Sequence, residues 1–158
     1  MERERIIALA AGFPSKVYAV VAPLSEEQLR WRPGGGEWSA KEVLCHLRDT
    51  AEVHSLRMQR IAAEDNPFLL SFDQEAYARD RKYQEDITPN VLLKYVEQRG
   101  EVLALLRGLP QEAWSRPGTH EEDGAVTLQQ IAERMVNHES EHLGQLRRLR
   151  VGALQGSR

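Results

Sequence analysis

The chain has 158 residues, 41% of them hydrophobic and 28% charged, with a formal net charge of −3. That is the size of one domain, residues 1–158, too apolar to be disordered and without the positive field that a nucleic-acid backbone requires. No apolar run approaches the ~20 residues that cross a bilayer, so neither nucleic acid nor membrane is expected as a partner. Cys45 is the single cysteine, which excludes an intrachain disulfide; with the charged start Met1-Glu2-Arg3-Glu4-Arg5, unlike a secretory signal, it points to the cytoplasm.

In chain order, residues 2–22 form a first helix, with Ile6, Ile7, Ala10, Val17, Val20 and Val21 on its apolar side and Pro14 expected to kink or restart it. Ser25-Glu26-Glu27-Gln28 reads as a capping box opening a short turn. The stretch Trp31 to Gly36 is a loop, because three glycines and a proline cannot continue a helix; without a following Gly-Lys-Ser/Thr it is not a phosphate loop. Ser39 and Glu42 form a second capping box, opening a long helix over 40–63 whose stripe runs Val43, Leu47, Thr50, His54, Met58 and Ile61, with His46 at its edge.

Residues 64–87 form a long crossover with one short helix after Asp73. Thr88 as cap and Pro89 in the first turn open a third long helix to about Gly108, and Gly118 to Ala125 is expected to be a polar loop, not a strand. Thr127 and Gln130 open a final helix reaching about Val151. At its end Arg147, Arg148 and Arg150 complement the helix dipole and face solvent. Four long helical patterns without strand alternation predict an all-α fold with short extra helices in the connections.

The last helix holds the chemistry. Its predicted core line is Leu128, Ile131, Met135, His138, His142, Gln145 or Leu146, and Leu149, so the two histidines point inward, one turn apart. Two imidazoles four residues apart can share one ion, and burying them without partners is costly. The competing reading is a hydrogen-bonded pair whose ring N–H groups reach Glu139, Glu141 or a backbone carbonyl. A third ligand must come from another helix, and the second long helix offers His46 and His54. These lie about 12 Å apart along the axis, too far for one ion to take both comfortably. Periodicity favours His54.

Two segments carry a resemblance: Glu37-Trp38-Ser39-Ala40-Lys41-Glu42-Val43-Leu44-Cys45-His46-Leu47-Arg48-Asp49 and Asn137-His138-Glu139-Ser140-Glu141-His142-Leu143-Gly144-Gln145-Leu146. They resemble, in the expected order, the second- and fourth-helix signatures of the DinB-like (YfiT-like) superfamily, and the stretches Leu24 to Pro33 and Glu64 to Pro67 are similar to it as well. The resemblance implies an up-down-down-up four-helix bundle with a long crossover and one divalent ion on His46, His138 and His142. His54 then becomes a core or pocket histidine.

Zinc is the expected ion and nickel the alternative, since neutral imidazoles suit both. Asp49, one turn after His46, either orients a ligand or a bound water, or simply faces solvent.

The family implies metal-dependent hydrolysis of a small molecule whose identity the sequence does not give. The alternatives are a bacillithiol- or mycothiol-type thiol S-transferase and a metal-stabilised stress-response module without turnover. The order His-Glu-Ser-Glu-His is not the His-Glu-x-x-His of metalloproteases, so no peptidase is expected, and no catalytic residue is assigned. A homodimer is expected, with Trp31, Trp38 or Trp114 either at its edge or serving as core and loop anchors.

Overall fold

A computed structural model describes residues 1–156. Its elements are α1 (Arg3–Val21), α2 (Glu26–Arg30), α3 (Ala40–Ala63), β1 (Phe68–Leu69), α4 (Gln74–Asp80), α5 (Thr88–Gly108), β2 (Pro117–His120), β3 (Gly124–Thr127) and α6 (Leu128–Gly156). α1, α3, α5 and α6 form a four-helix bundle. Each of α1 and α3 packs against both α5 and α6, so α1 and α3 lie on one diagonal and α5 and α6 on the other.

Contacts at the helix ends give the directions. The Arg3 guanidinium donates to the Leu109 carbonyl at 2.6 Å, so α1 begins where α5 ends. Met1 is 2.7 Å from Glu133, so α1 and α6 begin together. Glu26 takes both Lys41 at 3.1 Å and the Thr88 hydroxyl at 2.5 Å, which puts the starts of α3 and α5 side by side. Arg116, ahead of α6, donates to the Ile61 carbonyl at 2.9 Å, so α3 ends where α6 begins. The order is therefore up-down-down-up.

Capping sets these boundaries. Ser25, Ser39 and Thr127 each exchange side-chain and backbone hydrogen bonds with the glutamine or glutamate three residues on. α1 runs through Pro14 as one helix, because Ile6, Ala10 and Phe13 before it and Val17, Val20 and Val21 after it are buried in the same core. Thr88 does not cap α5. Ile87 takes that position, and the Thr88 hydroxyl is committed to Glu26.

The segment read as a polar loop is a β-hairpin. β2 and β3 pair antiparallel, and β1 joins β2 in parallel. Neighbours impose this structure, since Thr119 and Glu121 donate to the carbonyls of Pro67 and Leu69 at 2.9 Å. Gly118 lets the strand lie on the end of α3, because a Cβ there would come within 3.0 Å of Ile61.

Trp114 is fully buried in the core, so it offers no exposed edge for self-association. No helix among the described residues is long and apolar enough to cross a membrane.

Candidate metal centre

The register of α3 is fixed close to the site. Ser39 and Glu42 cap each other, and Arg32 grips the Glu42 carboxylate through two contacts at 2.7 and 3.0 Å. One turn further on, His46 is buried and aimed at α6.

His46 Nε2 lies 2.9 Å from His138 Nε2, which lies 3.0 Å from His142 Nε2. The three ligand atoms fall within 4.8 Å of one another. A tetrahedral ion at its usual bond length separates two imidazole nitrogens by about 3.3 Å, so a few tenths of an ångström of opening admits one.

The protonation pattern suits a cation as well. Gln145 Oε1 sits 2.7 Å from His142 Nδ1 and accepts its proton, which leaves the Nε2 lone pair facing the other rings. Nδ1 of His46 and of His138 has no hydrogen-bond partner among the described residues. Three mutually facing Nε2 atoms cannot all satisfy one another, and a shared cation can satisfy all three. Burial, helped by the neighbouring rings, pushes His46 down to about 2 and His138 down to about 4. Burial also lowers His142, against the pull of Gln145 and Glu141. All three rings are thus held in the neutral, ligating form.

His138 and His142 are not on the innermost line of α6, as the stripe suggested. They are half-buried in the groove facing α3, while Glu139 and Leu143 point to the centre. α6 packs against both α1 and α3, so its buried face is broad enough for the histidines to occupy one margin.

The Trp38 ring stands edge-on to His46 with centroids 5.1 Å apart, and Phe72 from the crossover lies 6.1 Å away on the same ring. His54 lies 6.0 Å from His138, ring to ring, and is outside the converging set. Burial pushes it down to about 3, with the charges of His138, Arg57 and Arg99 adding to the effect.

Asp49 neither orients a histidine nor faces solvent. It is buried and binds Arg48 at 3.0 Å, Arg81 at 2.9 Å and the Tyr83 hydroxyl at 2.5 Å, fastening the crossover that carries Phe72 and Tyr77. His120 accepts the amides of Glu122 and Asp123 in the hairpin turn.

The sequence reading missed a charged pair in the core. Arg99 of α5 reaches across the diagonal to Glu139 of α6, which also accepts from the Tyr95 hydroxyl at 3.0 Å. Burial raises the Glu139 carboxyl to about 7, with Arg99 and Tyr95 pulling it back down. The available signal was an arginine one turn after Tyr95, on the buried line Val91, Tyr95 and Val102 of α5.

Fold and site together define a helical-bundle protein with a convergent histidine cluster between antiparallel helices. A DinB superfamily model matches residues 13–146, and the chain belongs to that superfamily. It is 24% identical over 151 residues to YfiT of Bacillus subtilis, provisionally named a metal-dependent hydrolase, covering 94% of this chain and 84% of the relative. A Bacillus licheniformis protein given the same provisional description is 27% identical over 157 residues, covering 96% of this chain and 88% of its own. The solved structure of YfiT, described as a four-helix bundle of unusual topology, superposes with a TM-score of 0.88 at 22% identity. That match covers 94% of this chain and 85% of YfiT, and it shows the shared fold.

Two measurements bear on the cluster. Gln145→Leu removes the acceptor that sets the His142 tautomer, so zinc affinity should fall by about 10–100-fold with the helical content unchanged. A competition titration against a chromogenic chelator, with circular dichroism on the same sample, checks this.

The second concerns acid. The unfolded chain takes up protons near the ordinary imidazole value of 6.5, whereas the folded rings of His46, His54 and His138 refuse them until about 2, 3 and 4. The unfolded state therefore binds more protons below 6.5, and each imidazole removes roughly 1.4 kcal/mol of stability per pH unit as pH falls. Glu139, raised from 4.5 to about 7, works in the opposite direction over that interval, as one group against three. The urea midpoint of the metal-free chain should accordingly drop between about pH 7 and about pH 5.

Proposed function

We propose that this chain is a hydrolase acting on a small molecule, with one divalent ion held by His46, His138 and His142. The observation that carries this reading is the convergence of three neutral Nε2 atoms, one of them aimed by Gln145. When bound, such an ion supplies Lewis acidity at a scissile carbonyl or phosphoryl oxygen and activates water near neutral pH.

The rest falls to the chain's own residues. Trp38 and Phe72 wall the His46 side against water. His138 and His142 are half-buried, and no carboxylate or cysteine among the described residues joins the cluster as a fourth ligand.

Zinc is the proposed ion and nickel the alternative, both suited to neutral imidazole. The provisional description of the relatives as metal-dependent hydrolases supports the activity. The buried free thiol of Cys45, the chain's single cysteine, supports a reducing cytoplasm as its setting, and residues 1–158 are proposed to be one such domain.

The decisive experiment is elemental analysis of protein purified without an affinity tag, followed by ester and amide hydrolysis before and after chelation. About one equivalent of zinc or nickel, with turnover lost on chelation and restored by the ion, is the expected result. Metal-free protein that retains turnover would refute the reading.

A further inference from the structure

We infer that the cleft between Trp31 and Trp38 is the substrate-docking subsite of this centre, and that it takes a flat apolar or aromatic small molecule bearing one anionic group. The inference rests on the metal-dependent reading given above. The cleft holds about 420 Å³ and is flanked by Trp31, Glu37, Trp38, Gln145, Arg148 and Leu149. That volume lies within the range of small-molecule sites.

Two of its walls belong to the histidine cluster. Trp38 packs edge-on against His46, and Gln145 holds His142. A molecule in the cleft therefore rests on two side chains that themselves touch rings of the cluster.

The far wall is built in place. The Trp31 indole lies inset in α6 over Gly152 and Gly156, where an added Cβ would come within 2.5 and 2.9 Å of its ring atoms. A side chain at either position would displace the indole, so α6 seats the half-buried ring at a fixed height. A planar apolar body can stack against such a surface at either end of the cleft.

Charge sets the orientation. Arg148 has no ion pair among the described residues, and its Nη1 lies 3.6 Å from where a Cβ of Gly144 would stand. Glu37, contributed by the loop, has no ion pair among the described residues either. An anionic group is therefore drawn to Arg148 on the helix side and repelled from the loop side, and a guanidinium can hold it through paired donors.

The test uses the zinc-loaded chain with naphthalene-2-carboxylate and, as the uncharged control, naphthalene-2-methanol, both measured by isothermal titration calorimetry. The carboxylate should bind about tenfold more tightly than the alcohol. Arg148→Gln should abolish that preference and Glu37→Gln should enlarge it, while Trp31→Leu should weaken both probes by at least about fivefold. Zinc titrations of the same variants should match the unmodified chain.

Zinc binding without any response to either probe would overturn the cleft and leave the metal reading standing. Probe binding with this variant pattern in a chain that takes no zinc would support the cleft and overturn the metal reading. Carboxylate binding that survives in Arg148→Gln but vanishes on chelation would mean that the probe ligates the ion directly, which also refutes the cleft.

Discussion

His138→Ala is expected to abolish tight metal binding and, with it, any metal-dependent turnover. His138 is the central ring of the three, since its Nε2 contacts the Nε2 of both His46 and His142. Removing it leaves two donors on different helices with no ring between them. A partner that merely orients a ligand is worth about 10–100-fold in affinity, so the loss of the central ligand should exceed about 100-fold.

The fold should survive, because His138 is only half-buried at the margin of α6 and the helix core is carried by Met135, Leu143 and Leu146. With one desolvated imidazole fewer, the metal-free variant should also lose less stability in acid than the unmodified chain. His54→Ala is the control: it lies 6.0 Å from His138 outside the set and should keep zinc affinity within a few-fold. Equal losses in the two variants would remove the three-histidine assignment.

The sequence made some of this architecture readable, and the reasons differ from one element to the next. Helix starts were legible because their signals are local: Ser25, Ser39 and Thr127 bond with partners three residues away, and no tertiary contact is needed. The β-hairpin was not legible, because Gly118 to Ala125 takes its conformation from Pro67, Leu69 and Ile61, some fifty residues away. Thr88 resembled a cap until Glu26, from another helix, claimed its hydroxyl.

The site divides in the same way. The His138 and His142 pair is written in the spacing of four, whereas the third histidine is not. Residues 40–47 of α3 are buried on every side, so this stretch has no solvent face from which to fix the phase of the apolar stripe. The more amphipathic half of the helix sets that phase instead and points to His54, while the structure brings His46 to the cluster. Only the resemblance of the segment around His46 selected the residue that the structure places there.

The other large effect is expected at the core pair. Arg99 and Glu139 are both almost completely buried and join the two helices that share a diagonal of the bundle. Arg99→Met leaves the Glu139 carboxyl without its cation, and Glu139→Leu leaves the guanidinium stranded, so each should cost about 3–5 kcal/mol. Tyr95 cannot compensate, because its hydroxyl can donate only one hydrogen bond to the carboxylate.

The double variant Arg99→Met with Glu139→Leu should behave differently. In the native pair Arg99 Nε and Glu139 Oε2 are buried without hydrogen-bond partners, so the interaction does not fully offset the desolvation of the two charges. Two apolar side chains of similar length remove that penalty, and the double variant should recover to within about 1 kcal/mol of the parent or exceed it. Urea unfolding of the four members of this cycle gives the coupling directly. Additive losses in the double variant would show that the pair contributes through packing volume and not through charge.

Zinc affinity measured across the same cycle separates the pair from the site. Glu139 follows His138 in the chain but points into the core, not into the groove. A double variant that regains stability should therefore also regain zinc binding. If zinc binding stays lost in a fully stable double variant, the charge of Glu139 acts on the histidines through the helix they share.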